Sequence, residues 1–330
     1  MSKQPKQIAQ TTIIFAIGAA FLYFVFKGTN WGDLWLKFTQ TNYNWIAIGL
    51  FISIVSHWLR AYRATMLYQA MNYNISTANS LHAVFIGYFI NYFIPRGGEV
   101  SRCAALSKTN HLPLEKGLGS VITERLVDMV MLLIILGAVF VLQFDIIYNY
   151  INTNLAKENN TTGSNLKYYL LAIVLIGAAA IFILRKQLFN TPLFAKVLDK
   201  LKGFAQGLTS IKAVKKPILF IALSVSIWLC YILMMYFCLF ALPATTHLNF
   251  TQCLTVFAMG TIGIVIPAPG AGAGTYHFAV MQGLLLFGVA QDDGIAYATI
   301  VHGAQMVMFI ILGSISSLVV LSKHKQNASH

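Results

Sequence analysis

Long apolar stretches separated by short polar ones dominate the chain. A helix that crosses a bilayer needs about 20 mostly apolar residues. On that measure the pattern predicts full spans near 10–27, 44–63, 119–143, 168–184, 217–241 and 295–321. Two further apolar runs behave differently. Residues 80–94 run into Ile-Pro-Arg-Gly-Gly, and residues 251–266 run into Ile-Pro-Ala-Pro-Gly and more glycines. Both are short for a span, and both stop at Pro and Gly, which interrupt helices. The expected fold is an all-α integral membrane protein: one polytopic helical bundle over residues 1–330, with two Pro/Gly-broken re-entrant hairpins near 80–110 and 251–290 and no soluble domain.

Composition agrees with this pattern. Of the 330 residues, 57% are hydrophobic and 10% charged, against about 25% charged in a soluble domain. Too little polar surface remains to face water on all sides, which excludes a soluble enzyme. The apolar run after Lys3 and Lys6 is followed by Lys27, Asn30 and Trp31 and by no small-residue cleavage site, so it reads as a retained first span. The four cysteines, Cys103, Cys230, Cys238 and Cys253, show no CxxC spacing and read as small buried residues.

Charge sets the expected orientation. The chain carries 23 Lys and Arg against 10 Asp and Glu. No basic stripe with interleaved aromatics stands outside the apolar runs, so the basic balance points to anionic lipid and away from nucleic acid. The stretch from Arg185 to Lys216 is strongly basic, with Asp199 its only acid, and belongs inside by the positive-inside rule. Within it, Thr191-Pro192 followed by apolar residues at helical spacing predicts a helix on the inner leaflet or packed on the bundle. The neutral 144–167 loop and the turn with Asp292 and Asp293 belong outside. If the two short runs crossed fully, Arg96, Arg102, Lys108 and Lys116 would fall outside. Hairpins that enter and leave on one side remove that conflict and place both termini in the cytoplasm, in an inner (cytoplasmic) membrane. Non-helical backbone at membrane depth lines a wet cavity or is buried in protein, so these hairpins should line something.

The two short runs also align without gaps. Residues 82–95 lie over 254–267, matching Val84 with Val256, Phe85 with Phe257, Ile94 with Ile266 and Pro95 with Pro267. Paired Pro/Gly-interrupted segments in two halves point to a transporter site, and opposite insertion is what an inverted repeat requires.

Charges inside a membrane need a partner or a function. Arg60 and Arg63 stand at i,i+3 at the end of the second span, either snorkelling to the interface or holding a phosphate. Arg96, Glu99 and Arg102 follow the first break, where Gly97 and Gly98 allow close backbone approach. Glu99 and Arg102 are spaced to pair if a helix resumes there. Glu124 and Asp128 share a face, and Arg125 is spaced to reach Asp128. This block is either a structural ion-pair knot or a gate on a substrate. In the second half, Pro267, Pro269, Gly270, Gly272 and Gly274 form a glycine run, followed by His277 and, in the last span, His302. The run lacks the Lys of a nucleotide-binding loop. No set of residues has metal-ligand spacing, so neither cofactor nor metal is expected. Proton coupling through the histidines is a further option.

These residues resemble the lysylphosphatidylglycerol synthase transmembrane-region family, the flippase-like membrane half of MprF-type proteins. The resemblance rests on Arg60 and Arg63, on the Pro95-Arg96-Gly97-Gly98-Glu99 block with Arg102, on Glu124, Arg125 and Asp128, and on the Pro267–Gly274 run, in order from about residue 10 to 321. It implies a polytopic domain that binds an anionic or aminoacylated phospholipid and moves its head group between leaflets. It implies no enzyme, because the soluble aminoacyl-transferase domain of bifunctional members does not follow the last span. Many members carry an acidic residue where Tyr276-His277 stands, and Arg where His302 stands. The expected partners are membrane phospholipids, with a second copy of the chain or a separately encoded lipid-modifying enzyme as protein partners. The alternative functions are a non-enzymatic lipid-binding scaffold of an envelope complex, and an intramembrane lipid-modifying enzyme using Glu124 or His277 as acid/base. For the latter no nucleophile–base pair is in sight.

Overall fold

A computed structural model describes residues 16, 18–144, 146, 214–266 and 268–328. Among these residues the chain is helical with no strand, an all-α polytopic membrane protein. The expected span at 168–184, the 144–167 loop, nearly all of the basic 185–216 stretch and Pro267 lie outside the described residues.

A first helix, α1, covers 18–26. A short helix that the hydropathy pattern did not predict follows: α2, Trp31–Gln40, capped by Asn30, whose side chain accepts from the Gly32 N–H at 3.0 Å. Helix α3 is Tyr43–Ala70. It runs past the expected end at 63 because nothing in Ala-Thr-Met-Leu-Tyr-Gln-Ala breaks a helix until Asn72 turns left-handed (φ 66°). Arg60 and Arg63 therefore sit inside the helix and not at its end.

At the first break the chain forms α4, Thr77–Phe93, then a turn, then α5, Gly97–Asn110. Arg96 adopts left-handed φ (62°) at the turn. The two helices pack against each other, and they do so at glycines. A methyl group on Gly98 would collide with the Gly87 carbonyl oxygen and the Asn91 side chain. That side chain instead accepts from the Gly98 N–H at 2.8 Å. Helix α6, Leu114–Leu142, and helix α7, Pro217–Leu239, follow.

The second break gives the same arrangement. Helix α8, Phe250–Val265, is closed by a capping box between Asn249 and Gln252. A turn at Pro269–Gly272 leads into α9, Thr275–Leu285, which packs back on α8. The aligned pairs share environments: Val84, Val256, Phe85 and Phe257 are buried, while Ile94 and Ile266 are exposed. The last helix, α10, spans Gln291–Ala328.

Among the described residues four helices are long and apolar enough to cross a membrane: α3, α6, α7 and α10 over Gln291–Lys323. The main core gathers residues of α7, α8, α9 and α10, with Ile46 of α3 and Ile135 and Val139 of α6. Tyr297 donates from the middle of this core to the Met235 carbonyl at 2.9 Å. The turn of the second hairpin packs against α4 of the first. The two broken segments therefore meet inside the bundle. At one end of α10 an ion pair joins Asp293 to Lys37 of α2.

Candidate functional site

Helix α3 places Arg60 and Arg63 one turn apart on a face turned toward α6 and α7. Asp128 of α6 lies between them. Its Oδ2 accepts from Arg60 Nη2 at 2.9 Å and its Oδ1 from Arg63 Nη2 at 3.0 Å. One turn earlier on α6, Glu124 takes both Nη groups of Arg102 from α5, at 2.9 and 3.1 Å. This is the two-pronged fit of guanidinium to carboxylate. Glu124 Oε2 is also 3.8 Å from Arg63 Nη2, which joins the pairs into one cluster. Arg63 is 0% and Glu124 1% exposed, and Arg60, Arg102 and Asp128 are buried. This depth of burial rules out snorkelling to an interface.

Neutral donors and acceptors complete the cluster. Arg102 Nη2 donates to Tyr68 Oη at 3.0 Å, Arg60 Nε to Tyr231 Oη at 3.2 Å, and Arg63 Nη1 to Ser224 Oγ at 3.0 Å. Sequence reasoning missed Tyr68, Ser224 and Tyr231. Nothing distinguishes them from the chain's other tyrosines and serines until α3, α5 and α7 are packed. The Nε atoms of Arg63 and Arg102 are buried without a partner among the described residues.

Two expected pairings are corrected. Glu99 does not pair with Arg102, although α5 does resume at Gly97. Arg125 does not pair with Asp128. Glu99 and Arg125 bind each other across the α5–α6 interface, Nε to Oε1 at 2.9 Å, and both are well exposed. The cause is geometric: Asp128 is already engaged by Arg60 and Arg63, and Arg125, about 100° around α6 from Glu124, meets Glu99 of α5 instead.

A small, half-open cleft lies beside the cluster. Arg60, Arg102, Glu124, Glu99 and Arg125 bring charge to its wall, while Gly87, Gly98, Tyr88 and Asn91 supply the hairpin side. Gly97 stands next to this wall. Arg96 is exposed at the break, makes no ion pair with a described residue and does not line the cleft.

The second-half candidates form a separate group. Gly270, Gly272 and Gly274 all have positive φ, and Pro269 opens the turn they form. Gly274 abuts the Gly18 and Leu22 backbone of α1. The His277 and His302 rings are 5.1 Å apart, and Tyr276 and Tyr92 lie against His302. The two positions at which the sequence departs from the pattern it resembles are thus in contact. Among the described residues no cluster of three or more His, Cys, Asp or Glu could hold a metal ion.

A helical membrane protein with a charged cleft at a broken-helix hairpin is what these features define. The family model described as lysylphosphatidylglycerol synthase TM region matches residues 11–313, and the chain belongs to that family. No curated protein and no solved structure shows significant similarity to it.

Proposed function

We propose that the protein is a lipid transporter of the flippase type, which moves a phospholipid head group between the leaflets of an inner membrane without altering it chemically. Membership of the family supports a lipid-related role at a membrane. The observation that carries the finer reading is the cleft beside the arginine cluster. Three guanidiniums, of Arg60, Arg63 and Arg102, face two carboxylates, of Glu124 and Asp128. The cluster keeps a positive excess, and Arg60 and Arg102 present it to the cleft. Their partners hold both guanidiniums in place before a ligand arrives, so an entering phosphate meets donors that need no reordering. Gly87 and Gly98 let α4 and α5 pack closely enough to form the hairpin wall of the cleft. Exposed Arg96 at the hairpin break, which makes no ion pair with a described residue, would draw anionic head groups toward the cleft from the cytoplasmic leaflet. Rocking of one hairpin repeat against the other would supply alternating access.

The test is head-group flipping of fluorescent phospholipids in liposomes holding the purified protein. Wild type should flip an anionic or aminoacylated lipid. Arg96→Ala should slow this by about tenfold or more, a loss of roughly 1.4 kcal/mol in binding, with an unchanged thermal transition because Arg96 holds no ion-pair partner among the described residues. Full activity in that variant would move the site away from the first break. No flipping of anionic, aminoacylated or neutral lipids by wild type would sink the transporter reading and leave the scaffold reading.

A further inference from the structure

We propose that His277 and His302 form a proton-binding site that controls the glycine turn of the second hairpin, and that lipid movement depends on its occupancy. The proton site stands on the second hairpin alone; its link to transport rests on the transporter reading.

The two imidazoles come from α9 and α10, are buried, and stand perpendicular at 5.1 Å. His277 Nδ1 accepts from the Gly274 N–H at 3.3 Å. An accepting Nδ1 carries no proton, so this ring is neutral with its hydrogen on Nε2. The bond satisfies one of the free amides at the start of α9. The His302 ring packs on His277 and Tyr276. His277 therefore holds the turn at its α9 end, and His302 backs it.

That turn is held in a conformation that needs holding. Gly270, Ala271, Gly272 and Gly274 all have positive φ, and at Ala271 (54°) a side chain opposes it. The turn packs on α4, and Gly274 lies against the α1 backbone. It touches both the first hairpin and the first helix.

The surroundings of the pair offer no charge to balance a proton. Tyr276 of α9 and Tyr92 of α4 face His302, and Phe26 of α1 faces His277. Cys238 of α7 and Cys253 of α8 bear on Tyr276 and Tyr297 and on neither imidazole. Among the described residues no carboxylate, Lys or Arg faces either ring. A proton from water that binds His277 Nδ1 removes the acceptor of the Gly274 N–H. It also puts a positive charge at a helix N-terminus, where the macrodipole opposes it, beside a second imidazole. The Gly274 N–H then turns to water, the cation seeks water as well, and the turn opens. Two arrangements of one packed element, biased by a proton, make a switch. Release of the turn frees the second hairpin from the first, which is the motion alternating access requires.

Hydrogen exchange of the segment 268–280, measured by mass spectrometry in lipid nanodiscs near pH 5 and near pH 8, tests the site. After correction for the intrinsic pH dependence, wild-type exchange should rise about tenfold at the acid end. His277→Asn keeps a side-chain acceptor for Gly274 but cannot titrate, so it should match wild type near pH 8 and show no acid response. Equal exchange at both pH values in wild type, or an acid response retained in His277→Asn, overturns the site. Flipping in liposomes should follow the same pH in wild type and be flat in the variant. Flipping that ignores pH while exchange responds overturns the coupling. Absence of flipping altogether fails the transporter reading, and exchange still decides the proton site.

Discussion

The first hairpin breaks at Ile94-Pro95-Arg96 and resumes as α5, which carries Arg102 into a buried cluster of five charges. The second breaks at Ile266 and resumes as α9, which carries Tyr276 and His277 into an aromatic cluster with no fixed charge among its described neighbours. One design of break thus serves two ends. Buried ion pairs are strongly directional and leave their members nowhere else to go, so the first hairpin is pinned to α3 and α6. The second keeps its helices in the main apolar core, while its turn of positive φ is held by the Gly274–His277 and Thr275–Gly272 hydrogen bonds and by ring contacts, which local rearrangement can release. On the transporter reading proposed above, a pinned half would bind and a releasable half would move, a division of labour suited to alternating access.

The contrast breaks first at Asp128. Asp128→Ala leaves Arg60 and Arg63 buried without their shared carboxylate. Removing one partner of a buried pair costs about 3–5 kcal/mol, so the variant should unfold well below wild type in detergent thermal scans or fail to accumulate folded. His277→Asn should leave the transition near its wild-type position. Similar losses in both would remove the distinction between pinned and releasable halves.

The glycines sharpen the comparison at a smaller scale. Gly98→Ala must push α5 off α4 at the Gly87 carbonyl, and overpacking of this kind costs about 1–3 kcal/mol. Gly274→Ala meets Gly18 O at 2.8 Å and Leu22 N at 2.9 Å and adds a side chain at φ 89°. Its loss should be at least as large, but it should appear as raised exchange of the 268–280 segment, while Gly98→Ala should loosen 87–102. Exchange changes that spread across both hairpins in either variant would mean that the halves do not move separately.

Part of this was legible in the sequence. The apolar runs at 44–63, 119–143, 217–241 and 295–321 became long helices, and both Pro/Gly breaks became helix–turn–helix units. The Arg60/Arg63, Arg102 and Glu124/Asp128 blocks converged, because isolated charges in such apolar surroundings can be satisfied only by one another. Pairing within the cluster was not legible. Spacing of i,i+3 reports neighbours on one helix, whereas the pairs that form join different helices. Which face of α6 meets α5 depends on packing, and a close approach at Gly117 and Cys103 helps to set it. Helix α2 was missed because ten residues with Asp33 and Lys37 fall short of any span signal, although Asn30 before Trp31 is a readable cap.

The smallest effect on stability belongs to the Glu99–Arg125 bridge, and it bears most directly on the cleft. Both side chains line the cleft and both are well exposed. An exposed ion pair contributes at most about 1 kcal/mol, so Glu99→Gln and Arg125→Gln should leave thermal unfolding almost unchanged. The bridge nevertheless ties α5 to α6 at the edge of the cleft. A head group that enters there has to part the two residues or pass beside them. If the bridge closes the cleft, each variant should flip lipid faster than wild type, and the double variant should be no faster than either single one, because each alone already breaks the contact. Slower flipping in Arg125→Gln with normal flipping in Glu99→Gln would instead make Arg125 a ligand for the phosphate. In that case the first hairpin would bind through a residue at its edge, and the buried cluster would serve only to hold the cleft in shape.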